Sequence, residues 1–209
     1  MTGDPSAGQP VWPATLREGP VRLRPIRRSD QRAWSALRDA NIDWLSPWDA
    51  TLPRGGESRP PNFGAYARQS LRLARHGQMF PWMIEYQGVL VGQVSVNSIT
   101  RGAVQSGTVG YWVGKNVAGR GIAPTAVALA FDHAMGAAQL HRLEIAIRPE
   151  NRPSLRVAEK LGFREEGSRL RYLHVDGQWR NHRIFALTRE EVPEGLLARW
   201  RATGLSRIG

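Results

Sequence analysis

Two turn dipeptides, Gln87-Gly88 and Asp176-Gly177, decide most of what this 209-residue chain can fold into. Each separates two strand-like runs, residues 80–86 from 89–98 and 165–175 from 178–188, and a two-residue glycine turn folds such runs back as an antiparallel hairpin. Between the hairpins the order changes. A strand over 108–114 leads through a glycine loop to an apolar helix over 122–138. A strand over 142–148 then leads to a short helix over 151–161, closed by Gly162 in the C′ position. Strand–helix–strand order requires crossovers, so parallel pairing enters a sheet otherwise made of hairpins.

The first third adds one alternating strand at 21–26 and a helix capped by Ser29 or Asp30 with Trp34 and Leu37 on its apolar face. A proline-broken aromatic loop covers 41–61, and a second helix covers 63–76. Residues 1–20 carry four prolines and read as a flexible tail; residues 189–204 read as a helix followed by a short tail. The fold class is α+β with one mixed sheet, not a doubly wound parallel sheet.

Composition removes several functions. With 41% hydrophobic and 22% charged residues a real core forms. The absence of cysteine excludes disulfides, thiolate metal sites and cysteine catalysis. No stretch has the length of a bilayer span or the layout of a signal peptide, so a soluble cytoplasmic protein without membrane contact is expected. The formal charge is +11, and all but Lys115 and Lys160 of the 29 basic residues are arginine. Such a field suits phosphorylated or acidic partners.

Two segments carry chemistry. In VGKNVAGRGIAPTAVALAF, from Val113, a strand ends and a loop with Gly119 and Gly121 opens a helix. Free amides and the helix dipole at such a junction bind anions, although the loop alone also reads as a plain turn. It is neither a Walker loop nor GxGxxG. In IRPENRPSLRVAEKLGFREEG, from Ile147, Asn151 and Ser154 share one helix face, where both also read as capping residues.

Together, AGRGIA, the long helix, NRPS and EKLGF resemble the GNAT superfamily of acyl-CoA-dependent N-acetyltransferases over residues 21–188. GYWVG and ENRPSLRVAEKLGF are similar to the RimJ/RimL branch, which acetylates α-amino groups of ribosomal proteins. WLSPWDATLP and RYLHVDGQWRNHRIF look like its actinobacterial members. The resemblance implies a mostly antiparallel, twisted, seven-stranded sheet flanked by about four helices and a C-terminal helix. It implies acetyl-CoA as cosubstrate and no metal. Its pyrophosphate would lie on the main chain of Ala118, Gly119, Arg120, Gly121, Ile122 and Ala123, with Ala118 departing from the family's Gln or Arg. The pantetheine arm would follow the strand edge at Tyr111, Trp112 and Val113, with Asn151 beside it. Ser154 would sit near the sulfur as proton donor, and Arg156 would reach the phosphates.

The base is the open position. Thr108 stands where many relatives carry a carboxylate, which leaves Glu85, Glu144, His174 and Asp49 as candidates. Each also has a plain reading, as a strand charge, an arginine partner, a hairpin histidine or a loop cap. An α-amine of pKa about 7.8 is roughly a quarter neutral at pH 7.4, against about 0.1% for lysine, a gap of about 3 kcal/mol. A weak base therefore suffices for an α-amine. Trp44, Trp48, Asp49 and Trp179 are expected to wall the acceptor groove, and the tryptophans read equally as a lid over the core. The favoured reaction is acetylation of a protein N-terminus, with a ribosomal protein first among acceptors, by a monomer or homodimer that touches ribosomes through its basic surface without binding nucleic acid directly. The alternatives are a small-molecule amine acetyltransferase and a non-catalytic acyl-CoA-binding or RNA-associated module.

Overall fold

A computed structural model describes residues 11–53 and 60–204. The parts of the expected tails at 1–10 and 205–209, and residues 54–59 of the aromatic loop, lie outside the described residues. One eight-stranded sheet runs β1(Leu16–Glu18), β2(Val21–Pro25), β3(Phe80–Tyr86), β4(Val89–Thr100), β5(Ser106–Val113), β6(Arg142–Ile147), β8(Gln178–Thr188), β7(Arg164–Val175) in spatial order. All neighbours are antiparallel except β5 and β6. The fold is the mixed α+β sheet expected, with one short strand more than the sequence showed.

Both hairpin turns follow the sequence reading. Gln87 and Gly88 have φ of 52° and 81°, Asp176 and Gly177 have 49° and 73°. Two successive positive φ values give the turn twist that matches right-twisted strands.

The extra strand, β1, lies in the proline-rich segment and is too short to carry a period. Its surroundings are well packed. Trp12 lies 5.9 Å from Phe80 and 5.3 Å from Trp82 between ring centres, and Trp82 Nε1 donates to the Ala14 carbonyl at 2.9 Å. The described part of the expected tail is therefore part of the sheet and core.

The helices are α1(Gln31–Asp39), α2(Ile42–Leu45), α3(Phe63–Arg75), α4(Ile122–Met135), α5(Arg152–Leu161) and α6(Leu196–Ala202). Against one face of the sheet sits α4, buried nearly all round, with α5 and α6 packed on it. There Val94, Val96, Val109, Leu143 and Ile145 join the main core. The C-terminal helix belongs to this layer. Trp200 is fully buried with Nε1 donating to Thr125 Oγ1 at 2.8 Å, and the Asp132 carboxylate accepts from the Leu196 and Leu197 amides at 2.6 and 3.0 Å. On the opposite face α1 and α3 cover a smaller cluster of Ile26, Phe63, Ala67 and Met83. Among the described residues no helix is long and apolar enough to cross a membrane.

Candidate active site

The site follows from one interrupted ladder. β5 and β6 pair in parallel only at Ser106–Arg142, Gly107–Leu143 and Thr108–Glu144. Beyond Thr108 the strands part, although β5 continues to Val113 and β6 to Ile147. The Gly114 amide donates to the Val91 carbonyl at 2.9 Å, and Val113 stands opposite Gly92 in the β4–β5 register. Antiparallel alternation then turns the main-chain groups of Trp112 toward β4 and those of Tyr111 and Val113 into the gap.

A cavity of about 900 Å³ fills this gap and reaches both faces of the sheet. On the α4–α5 side it is bounded by Gly119, Gly121 and Ala123, and by Asn151, Ser154 and Arg156. Gly119 and Gly121 have φ of 83° and 80°, the left-handed region that glycine enters without a Cβ clash. The amides of Gly119, Arg120, Gly121, Ile122 and Ala123 have no hydrogen-bond partner among the described residues. Five free donors where α4 begins make a strong anion cradle. Ala118 and Ile122 also line it, while the Arg120 side chain points to solvent and does not.

Asn151 caps α5, its Oδ1 accepting from the Ser154 amide at 3.1 Å. The capping reading is thus realised, and the cap aims α5 so that Ser154 lines the cavity. The Tyr111 hydroxyl donates to the Ser154 carbonyl at 3.5 Å, and burial pushes its phenol up to about 12. The protonated phenol therefore stands against the main chain of Ser154 on this side.

The other face is aromatic. Trp34 meets Phe63 and Trp112 at 5.0 and 6.4 Å between ring centres and donates from Nε1 to Gln93 Oε1 at 3.2 Å. Gln93 in turn donates to the Tyr66 hydroxyl. The Arg38 guanidinium stacks 5.2 Å from the Trp112 ring and pairs with Asp49. Trp48 lies under the Arg148 guanidinium, which donates to the Pro47 carbonyl at 2.7 Å. Trp44 donates from Nε1 to the Val113 carbonyl at 3.1 Å. Trp44, Trp48 and Asp49 thus line the cavity.

Four expected residues are placed elsewhere. Glu85, on β3, is held by Arg24 at 2.5 Å and Arg22 at 3.5 Å, two strands from the gap. Glu144 sits at the last paired position of the closed ladder and accepts from Arg142 at 2.8 Å and Arg169 at 3.3 Å. His174 bonds Thr51 Oγ1 through Nδ1 at 2.7 Å, at the point where the aromatic loop bridges to the hairpin through Ala50 and Val175. Trp179 packs on His174 at 5.5 Å and is 54% exposed. None of the four lines the cavity.

Residues the sequence reading passed over do line it: Arg38, Gln93, Arg148 and His182. The signal for His182 was its phase, since it alternates with Ile184 and Ala186 along β8. Its ring is 3% exposed, and Nδ1 lies 3.0 Å from the Arg180 carbonyl, so Nδ1 carries the proton. Burial draws its pKa below the usual imidazole range. Nε2 makes no hydrogen bond among the described residues.

A family model for the acetyltransferase (GNAT) domain matches residues 21–164. The probable N-acetyltransferase YjcK of Bacillus subtilis is 40% identical over 180 residues, covering 82% of this chain and 96% of that protein. The ribosomal protein uS5-alanine N-acetyltransferase of Escherichia coli is 29% identical over 173 residues, 79% of this chain and 87% of that protein. The structure of Mycobacterium smegmatis RimJ in complex with CoA-disulfide superposes with a TM-score of 0.86 at 41% identity, covering 93% of this chain and 97% of that one. The chain belongs to the GNAT acetyltransferase family, as an acetyl-CoA-dependent N-acetyltransferase of the RimJ/RimL type.

Proposed function

We propose that this protein transfers the acetyl group of acetyl-CoA to the N-terminal α-amine of a protein, with a ribosomal protein as first acceptor. The observation that carries the reading is the gap between β5 and β6, with an anion cradle on one face and an aromatic groove on the other. Acetyl-CoA supplies an activated acyl group as a thioester. The free amides from Gly119 to Ala123 would hold its diphosphate, with Arg156 and Lys160 nearby. Main-chain groups of Tyr111 and Val113 would pair with the extended arm, and an amide of that edge would meet the negative charge that develops on the carbonyl oxygen. Ser154, with Tyr111 beside it, would return a proton to the departing sulfur.

Acceptor class follows from charge. Among the described residues the cavity is lined by Arg38, Arg148, Arg156 and Lys160, and by one carboxylate, Asp49, already paired with Arg38. The described lining offers a polycationic amine no acidic groove. A peptide amine, near neutrality in its ionisation, needs none. The uS5-alanine acetyltransferase among the relatives supports a ribosomal acceptor. The test is incubation with labelled acetyl-CoA and ribosomal proteins, followed by mass spectrometry. Label on α-amines supports the reading; label confined to lysine side chains or to small amines overturns it.

A further inference from the structure

We infer that His182 takes the proton of the acceptor amine, an assignment that rests on the acetyl-transfer reading above and completes it. The placement comes from strand register. β8 pairs with β6 as far as Arg183 opposite Ile147, with Ile184 opposite Ala146. Directly opposed residues share a face. His182, two residues from Ile184, therefore lies on the face of Ala146 and Arg148, one step beyond the end of the β6 ladder and beside the mouth of the gap.

That face belongs to the acceptor. Arg148 reaches Pro47 and Trp48 there. Across the gap, Gln93 opposes Trp112 in the β4–β5 register, so both also point to it, toward Trp34. Ser154 and Tyr111 stand on the opposite side, with α5. An amine entering over the tryptophans thus meets the imidazole on its own side of the carbonyl, and the sulfur leaves toward hydroxyls on the other.

The competing groups are committed. Asp49 is paired with Arg38 and Glu144 with Arg142 and Arg169. The charged groups about His182 are Arg148 and Glu150 past the end of β6, Arg169 opposite it on β7, and Arg180 and Arg183 on its own strand; the edge of Tyr172 meets its ring at 6.0 Å. With Nδ1 donating to Arg180, Nε2 presents a lone pair.

The step balances. The acceptor ammonium gives one proton to Nε2 of His182. The freed nitrogen lone pair forms the C–N bond at the thioester carbon. The C–S bond breaks with its electron pair on sulfur, the thiolate takes the proton of the Ser154 hydroxyl, and the second amine proton replaces it on Ser154. The products are the acetamide, the thiol and an imidazolium that discharges to water.

The experiment uses an alanine-initiated peptide and acetyl-CoA with wild type, His182→Gln and His182→Ala. Circular dichroism and acetyl-CoA binding by calorimetry run in parallel. Expected are a fall in kcat of about 100-fold in both variants, acetyl-CoA affinity within about twofold of wild type, and at least roughly tenfold recovery of the Ala variant by added imidazole. The wild-type kcat should bend on the acid side below pH about 6.5, and the Gln variant should lack that bend. Folded, acetyl-CoA-binding variants with kcat within about threefold of wild type overturn the assignment. So does a slow, folded Ala variant that imidazole leaves unchanged. A wild-type protein that binds acetyl-CoA yet acetylates no α-amine sinks the transfer reading itself, a result visible before any variant is made.

Discussion

Trp44 donates from its indole Nε1 to the carbonyl oxygen of Val113, 3.1 Å away. The bond ties α2 to the last residue of β5, where the strand edge stands open. It also occupies the one main-chain acceptor of Val113, so the neighbouring amide is left as the free group of that edge. Trp44→Phe keeps the ring and removes the donor, at a cost of about 1 kcal/mol. The expected result is a fall in kcat of about five- to tenfold with the KM for acetyl-CoA within about twofold, since the phosphates bind at the far end. Steady-state kinetics with an alanine-initiated peptide measure it. A change confined to KM for acetyl-CoA would place Trp44 in cofactor binding instead.

Affinity for acetyl-CoA should reside in the loop's backbone, not its arginine. Gly121 immediately precedes α4 at φ 80°, and a valine there is pushed out of the left-handed region at about 1–2 kcal/mol. The amides of Gly121 and Ile122 turn with it. Gly121→Val should weaken acetyl-CoA binding by at least about tenfold in calorimetry. Arg120 is exposed and outside the cavity lining. Arg120→Ala should change affinity by less than about threefold, at the level of a screened surface charge.

How much of this could be read from the chain depends on where the partners lie. Gly119 and Gly121 were legible because a strand, two glycines and a helix start are consecutive. Asn151 and Ser154 were legible because a cap and its partner lie three residues apart. Glu85 was not, because its arginine partners, Arg22 and Arg24, come from another strand; of Glu144's partners, Arg142 lies two residues away on its own strand and only Arg169 comes from another. A carboxylate on an alternating strand looks the same whether it is free or neutralised. β1 escaped notice because three residues carry no period and four prolines obscure the segment. His182 was hidden for the same reason as Gln93: each lines the cavity only because register and strand phase bring it to one face.

The two displaced glutamates differ in the stability cost they predict and agree in predicting little change in rate. Arg24 is 9% exposed in its side chain and is held by Asp30 at 2.8 Å and by Glu85 at 2.5 Å. Glu85→Gln replaces one charge-assisted bond inside this buried cluster and should cost about 1–3 kcal/mol by urea denaturation. Glu144 lies on a more open surface with Arg142 and Arg169. Glu144→Gln should cost under about 1 kcal/mol. Both variants should keep kcat within about twofold. A loss of 100-fold in either would return that carboxylate to the chemistry.

His133 supplies a pH dependence whose sign is fixed by its surroundings. Its ring is buried against Phe80 and Trp82, edge-on at 5.6 and 5.3 Å, and Nε2 lies 2.8 Å from the Val11 carbonyl. Burial is the largest influence and draws its pKa below the usual imidazole range, outweighing the bond to Val11. The unfolded chain therefore takes up the proton first, at about pH 6.5, and the folded chain only lower. Stability from this group is complete above about 6.5 and is lost as the pH falls through the folded value, with a slope of at most about 1.4 kcal/mol per unit. His182, also drawn down by burial, adds to the loss with the same sign. Glu166, held by Arg142 and Arg164, titrates at about 2, outside this window, while burial raises the pKa of the Asp132 carboxyl, which acts with the opposite sign, so the comparison of wild type with His133→Gln isolates the ring. Denaturation midpoints between pH 5 and 8 should fall toward the acid side, and His133→Gln should flatten the slope. Tryptophan fluorescence should register the same transition, because Trp82 packs on this histidine and Trp12 on Trp82. A midpoint that rises as the pH drops from 7 to 5 would mean that the ring is stabilised as the cation, contrary to its burial.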